Sequence, residues 1–510
     1  GKTNGKVVRS KARTDLAEAA EREENIMASS SEPAAKPHVL LIPYPAQGHV
    51  NPLLRLAKAL HLRSFHVTFV HTEHNHGRLL RSRGTGAVEG ADGFRFETIP
   101  DGLPPAAELD ATQDIWKLCE ATRRTCPGPV RELIQRLNRT EGVPPVSCVI
   151  ADGAMGFVVH VAKEMGLPAY LFFTPSACGF LAYLNFDQLV KRGYVPFKDE
   201  SCLTNKHDGG YLDTALDWVT GMISNIRLRD FPTFIRTTDA DDVMVTINIK
   251  QCELDAPAAD GIVLNTFDDL ESTALAAIRA RLPNTFTIGP LVSLPPYLPS
   301  LASSLWKEDS VCTRWLDQQA DGSVVYVNFG SITVVAREQM AEFARGLAGA
   351  GSPFLWVVRP DMVRDGGETS TPLPEGFVEE VAGRGLMVGW CDQEAVLEHR
   401  ATGGFLTHCG WNSTLESLHA GVPMVCWPFF AEQVTNCRYT CDEWGVGLEL
   451  ARDAGREEVV AAVRELMADG GEMRRKAAEW KNKAEKAVAV GGSSKGNLER
   501  FVKEIARVNR

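Results

Sequence analysis

Residues 37–72 read PHVLLIPYPAQGHVNPLLRLAKALHLRSFHVTFVHT. Two apolar runs, HVLLIPY and HVTFVHT, flank a stretch in which Leu53, Leu54, Leu56, Ala57 and Leu60 recur at helical spacing. A short apolar run, an amphipathic helix and a second apolar run make a βαβ unit. Its two strands must run parallel, and a parallel sheet is covered by helices on both faces, which explains strands that are apolar throughout instead of alternating. Working outward, FRFETI (94–99), SCVIAD (147–152), AYLFFT (169–174) and GIVLNT (261–266) extend the same sheet at helix-length intervals. The rhythm stops at 289–306, GPLVSLPPYLPSLASSLW, which is rich in Pro, Ser and Leu and has neither period. It restarts with SVVYVNFG (323–330), PFLWVVR (353–359), GLMVGW (385–390), GGFLTHC (403–409) and PMVCWP (423–428), and closes on charged helical patterns from Arg456 to Arg510.

The fold class is therefore α/β, with two Rossmann-like doubly wound domains facing across a cleft. The expected boundaries are a disordered leader over 1–36, a first domain over 37–288, a linker over 289–306 and a second domain over 307–488. A C-terminal helix within 489–510 is expected to return to the first domain. In such sheets ligands bind outside the carboxyl ends of the strands, here the cleft.

Composition narrows the function. The 510 residues carry 54 basic and 65 acidic side chains, a net charge of −11, without a long Lys/Arg block, so a nucleic-acid partner is not expected. No apolar stretch reaches the ~20 residues needed to span a bilayer. The 12 cysteines are scattered without a C-x-x-C pair, which fits a reducing, cytoplasmic setting. The G-x-G-x-x-G, P-loop and H-E-x-x-H fingerprints are missing, and Gly492-Ser493-Ser494-Lys495-Gly496 matches G-x-S-x-G away from any strand-to-helix elbow.

The strongest local signal is Thr407-His408-Cys409-Gly410-Trp411-Asn412-Ser413, where an apolar strand turns into the helix STLESLHAG. Asn412 is placed to cap that helix, and Ser413 with Glu416 has the spacing of a capping box. Free N–H groups at such a helix start, with His408 and Asn412 beside them, also suit a diphosphate.

Trp390 to Gln433, WCDQEAVLEHRATGGFLTHCGWNSTLESLHAGVPMVCWPFFAEQ, resembles the signature box of plant UDP-sugar-dependent glycosyltransferases, which share the two-Rossmann-domain GT-B fold. The likeness extends to PYPAQGHVNPLL near the start and to VNFGS at 327–331. It implies that Trp390 stacks on the uracil and Gln393 lies against the nucleoside. Glu416 would bind the ribose hydroxyls, while His408, Asn412, Ser413 and Ser331 would hold the phosphates. Glu432 and Gln433 would bind sugar hydroxyls, helped by the Trp411 backbone and Thr174. Glu432 stands where the family often has Asp, and Asp392 where it often has Pro. The match also implies that His49 is the general base, oriented by Asp152 at the end of another strand.

The reaction so implied is an inverting displacement that carries glucose from UDP-glucose to a hydroxyl of a small, largely apolar plant metabolite, giving a β-O-glucoside. UDP-glucose is a co-substrate, no resident cofactor or metal is expected, and the chain is expected to act as a monomer. The stretch 218–244 resembles a subgroup acting on cyanohydrins and terpenoid alcohols, and Phe157, Phe180, Trp218 and Met222 are expected acceptor-pocket walls. The rival readings are a non-catalytic nucleotide-sugar-binding protein, which would lack the His49 and Asp152 pair, and a nicotinamide-dependent sugar enzyme. The latter would need glycines in the first βα turn, where this chain has Ala46-Gln47-Gly48-His49.

Overall fold

The structure is a computed structural model that describes residues 36–104, 113–203, 210–293, 305, 308–363, 373–468 and 471–507. The expected leader, apart from Lys36, lies outside the described residues, as do positions 294–304 and 306 of the expected linker.

Two parallel sheets carry the described chain. The first has seven strands: β1 (His38–Ile42), β2 (His66–Thr72), β3 (Phe94–Ile99), β4 (Val146–Asp152), β5 (Ala169–Phe173), β6 (Gly261–Leu264) and β7 (Thr285–Thr287). Their spatial order is β3-β2-β1-β4-β5-β6-β7. The second has six: β8 (Val324–Asn328), β9 (Phe354–Val357), β10 (Gly385–Val388), β11 (Thr402–Thr407), β12 (Met424–Cys426) and β13 (Gly447–Glu449). These run in the order β10-β9-β8-β11-β12-β13. All pairings are parallel, with Leu41 opposite both Phe69 and Ile150, and Leu406 opposite both Val327 and Val425. Strands β1, β4, β8 and β11 are buried on both faces, the consequence of their unbroken apolar runs.

In each sheet the strand order reverses once, between β1 and β4 in the first and between β8 and β11 in the second. A crevice opens where neighbouring connections leave for opposite faces, and these two points hold the site.

The helices that frame it follow the sequence periodicity. Helix α1 (Gln47–His61) joins β1 to β2 and buries Leu53, Leu54, Leu56, Ala57 and Leu60. Helices α2 (Ile115–Thr125) and α3 (Ala177–Tyr183) follow in the first domain, and α4 (Gln393–Leu397), α5 (Trp411–Ala420) and α6 (Gln433–Arg438) in the second. The C-terminal region forms α7 (Arg456–Met467), α8 (Glu472–Val488) and α9 (Ser493–Ala506). Helix α9 packs on the first sheet. Phe501 lies 5.3 Å from the Tyr170 ring and 5.2 Å from Phe286. Glu504 accepts from Tyr170 Oη at 3.0 Å and from Asn284 Nδ2 at 2.8 Å. The Gly492–Gly496 string enters this helix with Ser494, the serine at the nucleophile position of the pattern, buried.

Helix α5 departs from the capping expectation. It begins at Trp411, its N-cap is Gly410, and no side chain caps it. Ser413 thus lies inside the first turn and Asn412 turns elsewhere. The bland explanation of the motif is removed, and the first N–H groups stay available to an anion.

Candidate active site

The base position is built at the first reversal point. His49 sits in the first turn of α1, immediately beyond β1, and Asp152 is the last residue of β4, the neighbouring strand. His49 Nδ1 lies 2.8 Å from Asp152 Oδ2. Asp152 is 1% exposed, and its Oδ1 accepts from Ala154 N at 2.9 Å, so the carboxylate is held from both ends. This pairing puts the proton on Nδ1 and leaves Nε2 as the basic nitrogen. The His49 side chain is 30% exposed. Burial disfavours the imidazolium, but the Asp152 carboxylate, through charge and hydrogen bond, and the charge of Glu432 outweigh it, so the His49 pKa is raised above 6.5.

Thr174, expected near the sugar, has its Oγ1 3.1 Å from His49 Nδ1. It therefore stands beside the base. The Tyr44 ring meets the imidazole edge-on at 5.1 Å.

The donor box is built at the second reversal point. After β8, Asn328 and Gly330 turn the chain toward Ser331, which is half-buried. After β11, His408 is 8% exposed and fits between two glycines. A Cβ on Gly330 would lie 2.4 Å from His408 Nε2, and one on Gly410 2.5 Å from the same atom. Burial lowers the His408 pKa to about 4, so it is neutral at pH 7 and can offer a ring N–H to a phosphate oxygen. A hydrogen bond with the Asn328 backbone opposes that shift without overcoming burial.

Gln393, at the start of α4, is the hub of the box. Its Oε1 accepts from Tyr326 Oη at 3.0 Å and Asn328 Nδ2 at 2.8 Å. Its Nε2 donates to Ser413 Oγ at 2.8 Å and Glu416 Oε2 at 2.6 Å. The amide is thus committed inside the box, fixing the two residues expected to meet the nucleotide. Burial pushes the Glu416 carboxyl pKa up, opposed by the Arg55 charge and the Gln393 hydrogen bond.

Trp390 is half-buried between β10 and α4, and its carbonyl accepts from Asp309 N at 2.9 Å. Trp411 is 3% exposed, and its indole N–H donates to Asn265 O across the cleft at 2.8 Å. Gln433 Oε1 accepts from Phe429 N at 2.8 Å and Phe430 N at 3.0 Å, and Glu432 Oε2 accepts from Tyr183 Oη at 3.0 Å.

The two halves meet. Asn412 Nδ2 donates to the carbonyl of Gly48 at 2.7 Å, so the start of α5 abuts the start of α1 one residue from His49. A narrow cleft opens there, lined by Asn51, Pro52, Arg55, Asn265, Asn412 and Glu416. His49 and Asp152 thus lie at the first reversal point and Ser331, His408, Asn412 and Ser413 at the second, while Trp390 and Gln393 follow β10 and Glu432 and Gln433 follow β12.

Other contributors carry no sequence signal of their own. Arg55 reaches from α1 to an ion pair with Glu394. Arg359, 1% exposed, donates to the carbonyls of Gly330 and Thr333, at 2.8 Å for Thr333, and so braces the Ser331 loop from below. Aromatic rings from both domains group together: Trp116 lies 6.0 Å from Phe234 and 6.3 Å from Phe430, and Tyr183 lies 6.3 Å from Phe234. Trp116 is 50% exposed, so this group offers apolar surface to a ligand. By contrast, Phe180 is fully buried and stacked on Phe173 at 4.0 Å, and Trp218 stacks on Tyr194 at 6.2 Å, so both are packing residues.

Among the described residues, the thiols of Cys409, Cys426 and Cys437 lie within 4.8 Å of one another, although the sequence spaces them singly. Burial holds the Cys409 thiol protonated, its pKa well above the ordinary range. No step at His49 calls on these thiols.

Comparison with known proteins agrees with this geometry. Residues 300–475 match the family described as UDP-glucoronosyl and UDP-glucosyl transferase, and residues 36–205 the glycosyltransferase N-terminal domain. A 7-deoxyloganetin glucosyltransferase of Catharanthus roseus is 52% identical over 94% of this chain and 98% of its own length. Linamarin synthase 1 of Manihot esculenta is 50% identical over 93% and 98%. Among solved structures, Os79 from O. sativa in complex with UDP superposes with a TM-score of 0.75 at 29% identity, over 92% of this chain and all of that one. Two parallel-sheet domains in the GT-B arrangement, the family matches over residues 36–205 and 300–475 and relatives at about half identity over nearly their whole length establish that this chain belongs to the UDP-glycosyltransferases, enzymes that transfer a sugar from a UDP-sugar to a small-molecule acceptor.

Proposed function

We propose that the chain transfers glucose from UDP-glucose to a hydroxyl of a small, largely apolar plant metabolite by single displacement, with His49 as general base and Asp152 as its orienting partner. The observation that carries this reading is the 2.8 Å His49–Asp152 pair lying one residue from the Gly48–Asn412 contact that joins it to the donor box. Nε2 of neutral His49 takes the acceptor proton as the oxygen attacks the anomeric carbon, and the C–O bond to UDP breaks on the opposite side. Inversion follows, giving a β-glycoside from an α-linked donor. The imidazolium so formed is stabilised by Asp152. Charge developing on the leaving diphosphate is met by the uncapped N–H groups of α5, that of Asn412 among them, and by His408, Ser331 and Ser413. Trp390 and Gln393 take the uridine, Glu416 the ribose hydroxyls, and Glu432 and Gln433 the sugar.

The displacement draws on no resident metal or cofactor. One chain supplies both halves of the site, so the working unit is a monomer, and the free thiols suit a reducing cytoplasmic setting. The exposed Trp116 beside Phe234 and Phe430 favours an apolar aglycone. The names of the relatives, a 7-deoxyloganetin glucosyltransferase and a linamarin synthase, direct the search to terpenoid alcohols and hydroxynitriles.

Incubating the protein with UDP-glucose and a panel of terpenols, hydroxynitriles and phenols tests this. UDP should appear only when an acceptor is present, together with an equal amount of β-glucoside. UDP release independent of any acceptor, or an α-linked product, contradicts it.

A further inference from the structure

Helix α3 of the first domain turns two residues toward the donor box of the second. Tyr183 Oη donates to Glu432 Oε2 at 3.0 Å. Gly179, one helical turn earlier on the same face, lies beneath the same side chain: a Cβ added there would stand 2.9 Å from Glu432 Cγ and 3.0 Å from its Cβ. The tyrosine is itself held, 9% exposed, with its ring 5.3 Å from Phe186 and 6.3 Å from Phe234. The start of α3 is tied to the second domain, since Ser176 Oγ donates to Asn436 Oδ1 at 2.7 Å. A glycine gap and a phenol thus form a fitted seat for one carboxylate of the opposite domain.

We propose that Tyr183, with Gly179 leaving room for the Glu432 side chain, is a positioning residue for sugar specificity, fixing the Glu432 carboxylate so that it accepts hydroxyls in the arrangement of glucose. The inference rests on the reading of Glu432 as a sugar-binding carboxylate. An ionised carboxylate has about four acceptor sites. The phenol occupies one on Oε2 and the residue's own backbone N–H another, which leaves the remaining sites for substrate. A glutamate with three free torsions could follow a 4-hydroxyl of either configuration, whereas an anchored one cannot. Shortening the side chain to aspartate withdraws the carboxylate by about one carbon–carbon bond, ~1.5 Å, out of reach of the phenol. Sugar recognition at the second domain then depends on α3 of the first.

The test compares Tyr183→Phe, Glu432→Ala and the double variant by calorimetric titration with UDP and by kinetics with UDP-glucose and UDP-galactose. Tyr183→Phe should raise the KM for UDP-glucose by about 5- to 20-fold and cut the glucose-to-galactose ratio of kcat/KM by a similar factor, the scale of one hydrogen bond to a charged acceptor. UDP lacks the transferred hexose, so its affinity should stay within about twofold, and in the Glu432→Ala background the tyrosine change should add nothing. An effect of Glu432→Ala with none from Tyr183→Phe overturns the proposal and leaves Glu432 its role. No effect from Glu432→Ala overturns the role of Glu432 itself. Loss of UDP affinity in step with UDP-glucose, or a further loss in the double variant, also overturns the proposal, because Tyr183 would then act through the fold and not through Glu432.

Discussion

Replacing Gln393 with leucine tests the claim that the donor box is pre-assembled before UDP arrives. Leucine nearly matches glutamine in volume but removes four hydrogen bonds, at 3.0, 2.8, 2.8 and 2.6 Å, to Tyr326, Asn328, Ser413 and Glu416. Tyr326 and Asn328 still share a bond at 2.9 Å, so the β8 side loses little. The cost falls on Glu416, whose carboxyl pKa burial already raises and which then keeps only the Arg55 charge to favour ionisation. Losing a hydrogen bond to a charged group costs about 1.5–3 kcal/mol, or roughly 10- to 100-fold in affinity. Calorimetric titration of wild type and Gln393→Leu with UDP should show that loss, with a more modest fall in melting temperature. UDP affinity unchanged within about twofold refutes the reasoning, because Glu416 would then not need its orienting amide.

Further outcomes follow from the same geometry. Trp390→Ala and Glu416→Ala should each weaken UDP by about 1–3 kcal/mol in the same titration. Gly330→Ala meets His408 at 2.4 Å on a backbone with φ of +79°, so it should lower both melting temperature and UDP affinity, the latter by about tenfold. For pH dependence, transfer needs neutral His49, and the Asp152 carboxylate raises the His49 pKa above 6.5. The kcat/KM of the wild type should therefore rise with pH through a midpoint above 6.5, while Asp152→Asn, leaving burial unopposed by that charge, should shift the midpoint downward and lower the plateau. Profiles between about pH 5 and 9 decide this.

Much of the fold was legible because buried parallel strands are written as largely apolar runs, and ten of the strands coincide with such runs, while the edge strand β3 carries Arg95 and Glu97 within FRFETI. Strands β7 and β13 have three residues each and lie at sheet edges, too short for a periodic signal. The start of α5 was misread because Asn412 looks like a local cap, whereas its side chain is spent on Gly48 across the cleft, a partner that local spacing cannot reveal. The box residues were recognisable as a string, but their division of labour was not. Gln393 works as a hub because Tyr326 and Asn328 come from β8, and Thr174 stands beside His49 because β5 neighbours β4. The aromatic group of Trp116, Phe234 and Phe430 comes from three distant segments, each ordinary in its own context.

The central claim is that donor binding and proton abstraction reside in different domains and meet at His49. His49→Ala tests it most directly when UDP-glucose affinity and turnover on an aliphatic alcohol are measured on the same preparation. Affinity should hold within about twofold while kcat/KM falls by about 10² to 10⁴-fold, with a smaller loss on an acidic phenol that is already partly ionised. Turnover on the aliphatic alcohol at the wild-type rate contradicts the account, as does an affinity loss that accounts for the whole fall in kcat/KM.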